Sequence, residues 1–213
     1  MKFHSDYKIV LLARKGMSYM LKKEDISNII KIGLILFAIT AASAFVLAVV
    51  NAVTAPVIAE NNAIKQAEAM RAVLPDAAQF SGESVLGDIA IENVNEVYEA
   101  KDAEGNVIGY AVMASPNGYG GEISMVVGVN TDMSVSGVDI ISQSETAGLG
   151  AKCVDDDFKG QFAGKTMGIN VVKSGGDENS IDAISSAAIT SKAVTKGVNS
   201  ALEAAEAVAN ASN

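Results

Sequence analysis

Histidine and cysteine are almost missing from this chain. Its 213 residues include one of each, His4 and Cys153, and no tryptophan. A single cysteine excludes an intrachain disulfide, and no cysteine cluster is available for zinc or an iron–sulfur centre. A single histidine close to Met1 leaves the rest of the chain without a base for a Ser–His–Asp triad or an imidazole metal ligand. Basic residues are also in the minority: 16 Lys and Arg stand against 25 Asp and Glu, a net charge of −9. That balance argues against a nucleic-acid partner, because phosphate contacts need a basic face. The acidity reads as a solvated surface. Any redox chemistry in such a chain has to be borrowed from a cofactor.

What the chain has in excess is apolar sequence, 49% of its residues. From Ile32 to Ala59 no residue is charged, and the run IGLILFAITAASAFVLAVVNAVTA is longer than the ~20 residues a helix needs to cross a bilayer. We read a transmembrane helix over 30–57. A cleaved signal fits less well, because the run starts far from Met1 and exceeds the usual signal core. Residues 1–59 carry seven basic residues (Lys2, Lys8, Arg14, Lys15, Lys22, Lys23, Lys31) against Asp6, Glu24 and Asp25, whereas the remainder is strongly acidic. The positive-inside rule then predicts a cytoplasmic basic segment over 1–29 and an extracytoplasmic domain over 58–213, tethered to the cell membrane by a single span. Ala41, Ala42, Ser43 and Ala44 permit close helix packing within the bilayer. Residues 7–23 mix apolar and basic positions at helical spacing, which fits a membrane-surface helix or an extension packed on a partner.

Beyond Pro56, the residues Ile64, Ala67, Met70, Val73 and Leu74 recur at three- and four-residue intervals and predict an amphipathic helix ended by Pro75. Asn95–Lys101, the turn AEGN and VIGYAVMA predict an antiparallel hairpin; EISMVVGVN and SVSGVDIIS predict two more strands. A small helix in DDDFKGQF, a strand at Val171 and Val172, and an alanine-rich helix from Thr190 to Ala209 follow. The expected fold class is α+β: one domain with an antiparallel sheet and flanking helices.

Three stretches are candidates for binding. Gly118, Gly120 and Gly121 in GYGGEISMVVGV precede a strand and lack a P-loop lysine, so they favour a structural turn over a nucleotide loop. SQSETAGLGAK combines Glu145 and Thr146 with the flexible Gly148–Leu149–Gly150, where backbone can pass close to a flat ligand or simply join a strand to a helix. DAISSAAITSKAV places four hydroxyls, Ser185, Ser186, Thr190 and Ser191, within seven residues of a helix start. Ser185 is positioned to cap that helix, and free amides there favour a phosphate.

In their order behind one N-terminal span, VVNAVTAPVIAE, GYGGEISMVVGV, SETAGLGAK, DFKGQFAGK and DAISSAAITSKAV resemble the G subunits of Rnf-type complexes, ion-translocating ferredoxin:NAD oxidoreductases. The C subunit of sodium-pumping NADH:quinone reductase is the nearest alternative in the same FMN-binding domain family. The resemblance implies an electron-relay subunit whose FMN is joined through its phosphate to a hydroxyl by a flavin transferase, among other membrane and peripheral subunits. It also implies that Glu145, Thr146, Gly148 and Leu149 lie near the isoalloxazine ring.

The acceptor motif of that family is Asp, two residues, Ser or Thr, Gly, Ala, then Thr or Ser. Asp182, Ser185 and Ala187 match it, Ser186 replaces the glycine, and Ala188 stands at the acceptor position. A methyl group forms no phosphoester. FMN is then held non-covalently, or Thr190 accepts it instead, or the subunit carries no flavin and is structural. Thr190 lies about 200° around a helix from Ala188, which sets it behind the other two. A free-standing, membrane-anchored flavin reductase is a further alternative.

Overall fold

In the computed structural model, residues 23–87 and 89–211 are described. Nearly all of the helix expected over 7–23 lies outside them. The chain divides into two compact units, up to Ile58 and from Ala59 onward.

Helix α1 spans Lys23–Val73 and runs through Pro56 without interruption. The sequence pattern predicts a span and a separate amphipathic helix divided near this proline. A proline removes one amide donor, here the partner of the Ala52 carbonyl, while the good helix formers on either side sustain the flanking turns. In the first unit the apolar side chains are exposed, among them Ile35, Phe37, Phe45, Leu47 and Val53. The mean hydropathy there reaches 2.6, and among the described residues this is the one helix long and apolar enough to cross a membrane.

The second unit is built on a five-stranded antiparallel sheet in sequence order: β1 (Gln79–Phe80), β2 (Val94–Lys101), β3 (Val107–Ala114), β4 (Ser124–Asn130) and β5 (Val135–Ser142). Alternation along the strands sends side chains to two faces. Tyr110 and Val112 of β3 join Met125, Val127 and Val129 of β4 in one cluster, while Ala111, Met113 and Val126 point the other way. The second face is covered by the end of α1, through Ala69, Met70 and Val73, and by Leu74 just beyond it. Ile64, expected on this stripe, is 51% exposed. Gly128 lets β4 approach the helix end, since a Cβ there would lie 2.7 Å from the Val73 carbonyl oxygen.

The first face packs against the segment that follows β5 and against the final helix. That segment holds a 3-10 turn (Gly150–Val154), α2 (Asp156–Lys159) and a second 3-10 turn (Gly160–Phe162). Phe158 and Phe162 meet edge to face, their ring centroids 5.5 Å apart. β6 (Asn170–Val172) then pairs in parallel with β7 (Ser180–Asp182) as a separate two-stranded sheet. Helix α3 spans Ala188–Ala211 and starts two residues before the position expected from sequence. Its Val194, Val198, Ala201, Leu202, Ala205 and Val208 are buried at helical spacing. Asn199 fixes the approach to β6: its Oδ1 accepts from the amides of Gly168 and Ile169, and its Nδ2 donates to the Ile169 carbonyl.

Candidate functional site

The two binding candidates with hydroxyls and the glycine turn meet at one cleft of about 860 Å³, a volume within the range of cofactor sites. Its lining includes Glu145, Thr146, Leu149, Ser185, Ser186, Ala187, Ala188 and Thr190. Of the expected site residues only Gly148 is not part of the lining; it turns the loop between Thr146 and Leu149 with φ 77°. Gly150, Ala183, Ile184 and Ile189, which lie within the candidate stretches, complete the cleft with Tyr119 and Lys173, which were not expected there.

One wall combines the glycine turn with the loop after β5. Gly118 donates its amide to the Gly121 carbonyl at 2.8 Å, and Asn117 bridges Glu122, so this segment is indeed a tight turn. It nevertheless contributes Tyr119 to the cleft, 72% exposed. Glu145 is buried behind it. Its Oε1 accepts from the Gly120 amide at 2.9 Å and its Oε2 accepts from the Thr190 hydroxyl at 2.5 Å. The carboxylate fits because its neighbours lack side chains: a Cβ on Gly118 would overlap Oε1, and one on Gly150 would lie 2.5 Å from Oε2 and 2.6 Å from Thr190 Oγ1. Burial pushes the nearby Cys153 thiol up to about 11, and the charge of Glu145 adds to that rise.

The other wall is the turn that leads from β7 into α3. Ala183 extends the β6–β7 ladder by donating to the Val172 carbonyl, and Gln161 Oε1 accepts from the Asp182 amide. Ile184–Ala187 then closes a turn, the Ala187 amide donating to the Ile184 carbonyl at 3.0 Å. Its third residue, Ser186, has φ 63°. A positive φ at that position alone marks a type II turn, for which glycine is the favoured residue.

The four hydroxyls separate into two roles. Thr190 and Ser191 are buried. Ser191 Oγ accepts from the Ile184 amide and donates to the Ala187 carbonyl, so it holds the turn to the helix. Thr190 donates its hydroxyl to Glu145. Ser185 and Ser186 are exposed to the cleft. Ser185 caps no amide of α3; that helix begins at Ala188, so Ala187 occupies the cap position. The amides of Ala188, Ile189 and Thr190 consequently find no acceptor among the described residues, as expected for the first turn of an uncapped helix. With the positive end of the helix dipole and Lys173, the one cation lining the cleft among the described residues, they make this corner suited to an anion.

Comparison with known proteins agrees with this geometry. Residues 118–203 match the FMN-binding domain family, and residues 17–73 match the RnfG N-terminal region. The chain is 37% identical to the G subunit of the Na(+)-translocating ferredoxin:NAD(+) oxidoreductase complex of Acetobacterium woodii, across 84% of this chain and 92% of that one. It is likewise 37% identical to the proton-translocating counterpart of Clostridium ljungdahlii, across 86% and 95%. The G subunit of the ion-translocating oxidoreductase complex of Methanosarcina acetivorans is 35% identical, across 84% and 95%. The fold, the cleft and these matches together place the chain in the family of G subunits of Rnf-type ion-translocating oxidoreductase complexes.

Proposed function

We propose that this chain relays electrons in an ion-translocating ferredoxin:NAD oxidoreductase complex and holds one FMN non-covalently in the cleft of its second unit. The observation that carries the reading is a cleft that brings the SETAGLG loop, Tyr119, Lys173 and the start of α3 together, with no hydroxyl at position 188. FMN supplies the electron-carrying chemistry, and the protein supplies placement and electrostatics. The residues fit that group. The amides of Ala188, Ile189 and Thr190 with Lys173 suit its phosphate. Tyr119, Leu149 and Ile189 leave apolar surface for a flat ring to cover, being 72%, 42% and 55% exposed. Thr146 and Gly148 shape the loop beside them.

The apolar half of α1 supports a membrane anchor for the subunit, and the basic residues that flank it in the sequence support an orientation with the cleft outside the cytoplasm, where other subunits of the complex supply and remove electrons. The match to the RnfG N-terminal region supports the G-subunit reading over the C subunit of sodium-pumping NADH:quinone reductase. A flavin transferase finds no hydroxyl at the family position, so Ala188 also favours a second reading, a structural subunit without flavin.

Intact mass and bound flavin of the full chain, made with a flavin transferase, separate these. The proposal expects stoichiometric FMN that denaturation releases, an unmodified protein mass, and covalent FMN in Ala188→Thr. A chain that binds no FMN while its complex transfers electrons undiminished would leave only the structural reading.

A further inference from the structure

Glu145 is the one charged side chain among the buried residues described, at 9% exposure. No lysine or arginine forms an ion pair with it among the described residues. Burying an unpaired carboxylate is expensive, and its two hydrogen bonds do not require the charge. A glutamine in its place offers a carbonyl oxygen to the Gly120 amide and an NH2 group to Thr190, whose hydroxyl can accept as well as donate. What glutamine does not supply is the negative charge.

We infer that Glu145 is the positioning residue of the cleft, tying the glycine turn to α3, and that its charge lowers the electron affinity of FMN bound there. The inference rests on the FMN reading above. Two further observations support it. Gly118 and Gly150 vacate the space the carboxylate occupies. Its field also reaches a neighbour, since after burial it is the largest influence raising the Cys153 thiol. Reduction brings negative charge into the cleft, and a fixed negative charge lining the same cleft opposes that step.

The test is Glu145→Gln in the full-length chain in detergent, loaded with FMN and titrated against redox dyes. Expected are an unchanged fold, an FMN Kd within about threefold of wild type, and an oxidised-to-reduced ratio at fixed potential that falls by about tenfold. Retained FMN with an unchanged ratio would overturn the inference. So would an unfolded E145Q, which would show that the charge serves the fold. A readout without flavin separates this inference from the one it rests on. In the apoprotein, E145Q is expected to move the Cys153 thiolate absorbance curve to lower pH, with Asp155 and Lys159 as the other charges acting on that thiol. Should wild type bind no FMN, the relay reading fails. A shifted Cys153 curve would still support the buried charge, and an unshifted one would overturn it.

Discussion

The two walls of the cleft differ in how firmly they are made. The wall of Gly118–Gly121 and the loop after β5 closes around one carboxylate, with Gly118, Gly120 and Gly150 packed against it and its second oxygen bonded by Thr190 of α3. The wall from Ala183 to Ala188 presents two exposed serines, a residue other than glycine at positive φ, and an alanine, Ala188, at the helix start. The first wall shapes the space in which a ring can lie; the second offers amides and Lys173 to a phosphate. The first wall's hydrogen bonds involve no residue from 183 to 188, so the proposed FMN binding does not depend on a covalent link at the second wall.

If the first wall is the rigid one, crowding it has the largest effect. Gly120→Ala places a methyl against the Ser144 carbonyl, within 2.9 Å of its carbon, and backbone cannot yield as a side chain can. A loss of roughly 3 kcal/mol is expected in denaturant unfolding, together with loss of FMN binding. A loss below about 1 kcal/mol would show that this wall relaxes as easily as the other. Thr190→Val comes next. It leaves one oxygen of a buried carboxylate without its donor, with an expected loss of about 2 kcal/mol. In an Ala188→Thr background the same change should leave covalent flavinylation in place, because the Thr190 hydroxyl serves Glu145. Loss of the attached mass in that double variant would reinstate Thr190 as acceptor.

On the second wall the expected effects are smaller. Lys173→Met removes a cation of the cleft lining and should weaken FMN by about fivefold at low salt. The remaining affinity should depend less on ionic strength, because an exposed charge pair is screened by salt. An unchanged Kd and salt dependence would leave the helix amides as the sole phosphate ligands.

Sequence alone carried β2 to β5 through apolar runs bounded by turns, and α3 through its alanine-rich run, whereas the single helix α1 was expected as two helices divided near Pro56. Val107–Ala114 was located to the residue, since the AEGN turn fixes where the apolar run VIGYAVMA begins. β1 and β7 escaped detection: two residues, and three with one apolar side chain, have no period to read. Most of the cleft was legible through the ordered motifs. Tyr119 and Lys173 were not, because each sits in a turn whose glycines account for the local sequence without a ligand. The bond from Thr190 to Glu145 spans 45 positions and leaves no local trace. The tightly clustered hydroxyls looked alike in sequence and proved to divide between exposed and buried roles, a distinction only the helix start at Ala188 makes.

The smallest expected effect is a gain. Ser186 occupies the third position of the Ile184–Ala187 turn at φ 63°, where a side chain other than glycine costs about 1–2 kcal/mol. Glycine would remove that strain and lose part of the benefit to the greater entropy of the unfolded chain, roughly 0.5–1 kcal/mol. Ser186→Gly should therefore stabilise the protein by somewhat less than about 1 kcal/mol, read as a small rise in Tm, with FMN affinity unchanged. A loss of stability would mean that the serine hydroxyl makes a contribution larger than the strain it imposes. A loss of FMN affinity at unchanged stability would instead place Ser186 among the phosphate ligands, and the second wall would then be specialised for holding its cofactor without a covalent bond.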